Sequence, residues 1–409
     1  MSETSERDPA TLPYNRTAVV GAMTSVQASM SLAVLMLAAI APAVAKSLDI
    51  PAALIGYQVS IVFGSASVFS LIAGGLVRRW GACRTSQSAL ILGLAGCALA
   101  TIPDIAALAA ASVCIGAGYA LTNPSASHLL GRFAGNRYRN VIFSIKQTGV
   151  PLGGAIAGLV APGLAITFGW QSVPIAAAAT LLALLVALQA RRRFWDDDRD
   201  QSWRIRGNLF EGLILVWNRK PLRRLVSASF FYTITQLCLV TFLVTLLVED
   251  AGMTLVAAGF VLSIVQMASV LGRLAWGWVA DKVGDGAVVL AVIGVIAGIT
   301  SGITMLVGPE WPVNGMKVLF VIFGIAAVGW NGVFIAEVAR VSPAGRIGPT
   351  TGAALAITFA GVIFGPSLFA FAHGFIGSYT TTFGLLTVAS VAGALLALSC
   401  RQKNAEDAA

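Results

Sequence analysis

Charge is what this sequence has least of, and negative charge least of all. Lys, Arg, Asp and Glu make up 11% of its 409 residues, with 18 acids against 27 basic residues. A chain this apolar, 57% hydrophobic, cannot hydrate the surface of a soluble globule of its length. The five cysteines (Cys83, Cys97, Cys114, Cys238, Cys400) are odd in number, scattered and mostly inside apolar runs. That excludes a disulfide framework and gives no metal-ligand spacing. The sequence also offers no nucleophile–base cluster and no phosphate-binding loop, which argues against an enzyme. Neither cofactor nor metal is expected. No pair of carboxylates falls inside an apolar run, so nothing advertises an acid-based proton relay.

What the chain has instead is a succession of apolar runs, each long enough to span about 30 Å of hydrocarbon. In lipid the backbone must be satisfied within the segment, so the runs are read as helices; a barrel would show short alternating strands. They cover residues 18–44, 52–76, 86–102, 105–130, 141–168 and 173–190. Six more follow at 225–248, 255–280, 287–307, 316–338, 350–375 and 381–398. The first is too long for a signal-peptide core and is read as a retained helix. The expected fold is therefore an all-α membrane protein with twelve transmembrane helices. Its expected domains are a bundle at 1–190, a linker at 191–224 and a bundle at 225–409.

The linker changes character, with Arg191–Arg193, the acidic run Asp196–Asp198 and the basic group Arg219, Lys220, Arg223 and Arg224. Within it Leu209, Phe210, Leu213, Ile214 and Trp217 fall at helical spacing, which suits a helix lying in the membrane interface; a solvated linker is the plainer reading. Placing the N-terminus in the cytoplasm puts every Lys and Arg but Lys46 and Lys317 on the cytoplasmic side. The positive-inside rule then predicts cytoplasmic termini in a multi-pass plasma-membrane protein, the inner membrane if the source is a Gram-negative cell. It also accounts for the net charge of +9 without nucleic acid.

The halves repeat. A shift of 203 lays Ser60-Ile61-Val62 on Ser263-Ile264-Val265, Gly74 on Gly277 and Gly81 on Gly284. A shift of 208 lays Asn123 on Asn331 and Arg132 on Arg340, and one of 212 lays Gly149 on Gly361. Two parallel six-helix repeats joined by a long linker are what alternating access about a central site requires.

With these features the chain resembles the major facilitator superfamily over about residues 17–400. The family's hallmark is a cytoplasmic turn G-x-x-x-D-R/K-x-G after the second helix, with a weaker copy after the eighth. Here the second copy is intact, Gly277, Asp281, Lys282 and Gly284. The first, Gly74, Arg78, Arg79 and Gly81, has arginine where the family carries an acid. The resemblance implies that this acid helps hold the cytoplasmic gate, so the departure removes the usual contact and leaves Asp281 and Glu337 as acidic partners for the cytoplasmic arginines. The stretch Arg273-x-x-x-Gly277-Trp278-Val279-x-Asp281 further resembles the eighth helix of monocarboxylate and oxalate/formate-type transporters, which implies that Arg273 binds a substrate carboxylate. Residues 149–154 (G-V-P-L-G-G) resemble the G-P-x-x-G-G motif of drug exporters, but the proline stands one residue too close to the glycine pair.

Arg273 lies about 12 Å inside Asp281 on a helix. A guanidinium at that depth costs several kcal/mol unless something anionic or polar meets it, and its planar fork suits a carboxylate. Pairing with Asp281 or a backbone carbonyl is the alternative. Lys146, followed by Gln147, stands about one turn inside the fifth helix, where it either snorkels to the surface or faces the cavity opposite Arg273. Gln27, Gln236, Gln266, Asn123 and Asn331 lie at mid-span with Trp330 adjacent to the last; as a set they suit a cavity for a small polar solute, and singly they suit helix-to-helix bonds. His128 and Glu337 are the candidates for a coupling proton, against a helix-packing histidine and an i,i+3 pair of Glu337 with Arg340.

The expected function is secondary transport of a small organic anion, a carboxylate, by alternating access, in symport or antiport with a proton or counter-anion, by a monomer in the bilayer. Two other readings stay open: a drug or metabolite efflux antiporter, which calls for a cavity acid, and a non-transporting membrane receptor or scaffold, which calls for a soluble signalling domain.

Overall fold

The computed structural model describes residues 16–133, 142, 145–202, 210–342 and 347–400. Both chain ends lie outside these residues, as do Arg137, Arg139, Leu209 and Arg346. Twelve long helices account for most of what is described. The first six are α1 (Arg16–Leu35), α2 (Ile55–Trp80), α3 (Ala82–Leu99), α4 (Ile105–Phe133), α5 (Gly149–Phe168) and α6 (Ser172–Gln189). After the linker come α7 (Lys220–Glu249), α8 (Leu255–Val283), α9 (Gly286–Thr304), α10 (Val313–Gly329, resuming as Asn331–Val341), α11 (Ile347–Ile376) and α12 (Tyr379–Leu398). Eleven are long and apolar enough to cross a membrane. The twelfth, α3, opens on Arg84-Thr85-Ser86-Gln87-Ser88; Thr85 and Ser86 bond back to carbonyls one turn earlier and Gln87 donates to Gln189 at 2.9 Å. Those bonds let a polar turn sit buried in a bundle.

Two runs break where the sequence reading had them continuous. The first, expected as one helix over 18–44, stops at Leu35, passes through a 3₁₀ turn at Ala38–Ile40 and resumes as Ala41–Leu48. Pro42, in the first turn of that second piece, explains the break: proline lacks an N–H, and its ring would clash with the carbonyl four residues back. α10 breaks at Trp330, in the middle of its span. The linker contains a helix at Phe210–Asn218, with Ile214 and Trp217 exposed.

Packing follows the repeat. In the first bundle α1 lies on α5, and α2 and α3 on α4; in the second α7 lies on α11 and α8 on α10. The bundles meet along two matching seams, α5 on α8 and α2 on α11. Gly149 and Gly361, equivalent in the repeat, both mark close helix approaches: a methyl on Gly149 would sit 2.7 Å from the Thr24 carbonyl of α1, and one on Gly361 would collide with the Phe230 carbonyl of α7. The seams close at the end away from the basic turns. A methyl on Gly158 would sit 2.5 Å from the Gly259 oxygen, Ser263 donates to the Ala155 carbonyl at 2.8 Å, and Ser367 donates to Ser60 at 2.7 Å.

At the opposite end the acid missing from the first hallmark turn is supplied from the linker. Asp196 accepts the N–H groups of Cys83 (2.7 Å) and Arg84 (2.9 Å), the open donors at the start of α3. It fits because Gly81 has φ +95°, and any side chain there would occupy the place of the carboxylate. Burial pushes the Asp196 carboxyl up, against the pull of the two amides. Next to it Arg132 bonds Asp197 at 2.7 Å, which holds that carboxyl below the usual range, and Arg132 also pairs with Asp198. Glu337 pairs with Arg340, and Asp281 is exposed and makes no ion pair among the described residues.

Two outcomes follow from these contacts. Asp196→Ala should lower stability by about 1–3 kcal/mol, read as a drop in thermal unfolding midpoint in detergent, with faster proteolysis of the linker. Asp196→Asn, which keeps one acceptor, should lose less. Gly259→Val should wedge the seam open, so that a cysteine at position 60 reacts faster with a membrane-impermeant thiol reagent.

Candidate functional site

The first bundle gathers its polar side chains around one amide. Gln27, fully buried on α1, accepts through Oε1 from Thr122 on α4 at 3.1 Å and from Lys146 at 2.8 Å. Lys146 also donates to the Asn123 amide oxygen on α4. It is only 3% exposed. This corrects the snorkelling alternative: the start of the fifth helix is pressed against α1, so the ammonium turns into the bundle and not toward the surface. Its partners among the described residues are two neutral amide oxygens and no carboxylate.

The second bundle repeats the arrangement. Gln236 on α7 accepts through Oε1 from the Trp330 indole N–H at 2.9 Å and from the Asn331 amide at 3.1 Å. The break in α10 puts both donors at mid-span, where a discontinuous helix exposes backbone and side chain to a site. Thus Thr122 on α4 and Trp330-Asn331 on α10 meet a glutamine on the first helix of their own bundle, and Asn123 is linked to Gln27 through Lys146. The difference is the lysine. Position 358, equivalent to 146 under the shift of 212, is a threonine bonded to Ser229 at 2.7 Å. Trp330 is packed between Tyr232 and Phe334, with ring centroids at 5.6 and 5.4 Å.

Arg273 connects the two clusters. From α8 its Nε donates to the Val328 carbonyl of α10 at 3.3 Å, and Nη1 to the Gln147 carbonyl at the start of the fifth helix at 3.5 Å. The second is a long bond at the edge of useful geometry. Pairing with Asp281 does not occur; no carboxylate reaches the guanidinium among the described residues. Between Asp8 and Asp196 the sequence holds only two acids, Asp49 and Asp104, both in turns between helices. Two basic groups therefore enter the centre of the molecule with no built-in counter-ion.

Tyr119 was not singled out by sequence reasoning, since one tyrosine in an apolar helix carries no periodic signal. It stands on α4 beside Ser31 and Gln27, in electrostatic range of Arg273, with its ring edge-to-face on Phe63 at 5.8 Å. Its place one turn before Asn123 was the available clue. Gln266 is buried on α8 against Gly154, and its Oε1 has no hydrogen-bond partner among the described residues. The Gln147 side chain is exposed.

The structure does not bring the remaining predicted residues into this centre. His128 bonds Asp198 of the linker at 2.7 Å, and Glu337 is held by Arg340 near the basic end of α10. The hallmark residues Gly74, Arg78, Arg79, Gly277, Lys282 and Gly284 lie toward that same end; the Arg78 carbonyl accepts from Asp200 at 2.8 Å, and Gly284 ends α8 at φ +72°.

Known proteins with this sequence pattern and shape are transporters. The chain is 27% identical over 343 residues to the 3-(3-hydroxy-phenyl)propionate transporter of Escherichia coli K12, covering 80% of this chain and 79% of that one. It is 23% identical over 286 residues to the 4-hydroxybenzoate transporter PcaK of Acinetobacter baylyi, a match spanning 59% of this chain and 60% of that protein. Among solved structures, a peptide transporter POT bound to sulfate superposes with a TM-score of 0.77 at 16% identity, covering 97% and 98% of the two chains. The nucleoside transporter NupG gives 0.76 at 14% identity, covering 95% and 100%; at such identities the likeness concerns the fold. Residues 22–366 match the Major Facilitator Superfamily, and this multi-pass membrane chain belongs to that family.

Proposed function

We propose that the protein is a secondary transporter of a small aromatic carboxylate, moved by alternating access of a site between the two bundles. The observation that carries the reading is the pair Arg273 and Lys146, brought into the protein centre with neutral partners only. A buried cation without a counter-ion costs several kcal/mol, and an anionic passenger removes that cost each time it binds. Arg273 offers the carboxylate a two-pronged donor. Tyr119, in electrostatic range of the guanidinium, and Trp330, two residues after its Val328 partner, supply ring surfaces, and Asn331, Gln236 and Gln266 supply amides for a ring hydroxyl. The matched relatives are named for a hydroxyphenylpropionate and a hydroxybenzoate, each a carboxylate on a hydroxylated ring, which agrees with that chemistry.

The hydrophobic-cation exporter reading lacks the acid it needs at the centre. A single chain supplies both bundles and a whole site, so the working unit is proposed to be a monomer. The basic residues place both termini in the cytoplasm of a plasma-membrane protein, and in that orientation the described closure at Gly158 and Gly259 faces outward. The linker aspartate Asp196 takes the place of the hallmark acid in bracing the cytoplasmic end of the first bundle.

In cells or proteoliposomes, Arg273→Gln should weaken apparent affinity for 4-hydroxybenzoate or 3-(3-hydroxyphenyl)propionate by about tenfold to a hundredfold, the worth of a charge-assisted bond pair. Arg273→Lys should recover little, because a point charge cannot reproduce the fork. Wild-type uptake by either variant at equal membrane abundance would remove Arg273 from the site. A reporter fused to either terminus should be active only if it functions in the cytoplasm.

A further inference from the structure

We propose that Lys146 carries the coupling proton: the amine is neutral in the empty site and becomes an ammonium together with the bound anion. The proposal rests on the carboxylate reading above and adds the driving ion and its carrier.

The argument begins with a count of donors. A neutral lysine amine has two N–H groups, and an ammonium has three. The structure gives Nζ two acceptors among the described residues, Gln27 Oε1 and Asn123 Oδ1. Two bonds use both N–H groups of the neutral amine. They leave the third N–H of the ammonium with no acceptor among the described residues, at a site that is 3% exposed. An anion supplies both that acceptor and the charge that stabilises the added proton.

The groups packed around Nζ favour no other carrier. On α1 the facing groups are Gln27 and Ser31, and on α4 Thr122, Asn123 and Tyr119; none is an acid. From α8 comes Arg273, a guanidinium that stays charged under all working conditions. Burial of the amine among neutral partners disfavours a proton on Lys146 until an anion arrives. Among the described residues, the remaining acids and His128 stand toward helix ends or in the linker. Glu337 is bound to Arg340 and His128 to Asp198. Lysine and arginine thus divide two tasks: one keeps a fixed charge for recognition, and the other has a charge that can be switched. The equivalent of Lys146 in the second bundle is Thr358, which cannot titrate, so one site per chain takes one proton.

The step balances without a further reactant. A proton from the medium on the loading side adds to the amine as the carboxylate binds. When the carboxylate leaves on the other side, the uncompensated ammonium gives the proton to that medium. A monoanion and one proton cross together, and no net charge moves.

The test uses the full-length protein in detergent at about pH 8, where a carboxylic acid is already ionised and a phenol is not. Sodium 3-(3-hydroxyphenyl)propionate is added under weak buffering, with a pH indicator present and binding followed by calorimetry. The wild type should take up about one proton per anion bound. Anion binding without proton uptake overturns the proposal and leaves the carboxylate reading standing, whereas absence of binding overturns both. Lys146→Arg and Lys146→Gln, reconstituted in proteoliposomes, should lose accumulation driven by a pH gradient, and any residual exchange should no longer respond to pH. A variant that still concentrates the probe under a pH gradient overturns the assignment. Asn123→Asp gives the ammonium a permanent partner and should abolish proton uptake on binding; wild-type uptake in this variant also overturns it.

Discussion

Positive charge held in a low-dielectric interior, without negative charge to meet it, is the constraint to which the rest of this molecule answers. The protein meets the demand only in part. Lys146 receives two amide dipoles and Arg273 two backbone carbonyls, one of them at 3.5 Å. An aspartate at either place would complete the pairing, and it would also leave a passenger nothing to neutralise. A transporter needs the opposite: a site whose deficit is made good only while the passenger is bound, so that occupancy alters the relative stability of its states. The near absence of acids from the first 195 residues is therefore a functional property of the centre as well as a feature of composition.

The two bundles solve the same packing problem with one difference. Each carries a glutamine on its first helix whose side-chain oxygen gathers two donors, at least one of them from the middle of its fourth helix. In the second bundle the donors are the Trp330 indole and the Asn331 amide, and the cluster is closed and neutral. In the first, Lys146 stands between glutamine and asparagine and opens the cluster toward an anion. Duplication supplied the geometry, and one residue in one copy supplies the charge. The closed copy presents rigid ring surface and fixed amides, suited to shape; the open copy presents a cation, suited to capture.

How much of this could be read from the chain depends on how local the cause is. The spans, the repeat and Arg273 were legible because burying charge or backbone in lipid has a cost that any single stretch reveals. The break at Pro42 was missed: α4, α5 and α11 each run on through a proline, so a proline inside the run 18–44 did not by itself announce a break. Lys146 was harder: it was expected about one turn inside the fifth helix, whereas α5 as described begins at Gly149, and only the contact of Gly149 with α1 decides that the lysine turns inward. Asp196 gave no usable signal, and Tyr119 only its place one turn before Asn123. The aspartate reads as one charge among many in a linker until the fold lays it on Gly81. The tyrosine reads as one apolar residue among many until α4 turns it toward Gln27 and Arg273.

The seams explain why a single small anion is enough to move such a structure. At the closed end the bundles are joined by glycine contacts and a few hydroxyl bonds, Ser263 to Ala155 and Ser367 to Ser60, each worth about 1 kcal/mol net. Opening exchanges such contacts for equivalent ones at the other end, so the two states can differ by only a few kcal/mol, a gap within reach of one charge-assisted interaction. Arg273 sits on one of these seams. Its long bond to the Gln147 carbonyl runs from α8 across to the fifth helix of the other bundle. A carboxylate that captures the guanidinium competes with that bond, so recognition and the loosening of the seam are the same event. The residue before Gln147 is Lys146, so in the cycle proposed above proton, anion and seam would meet within one turn of chain just before α5.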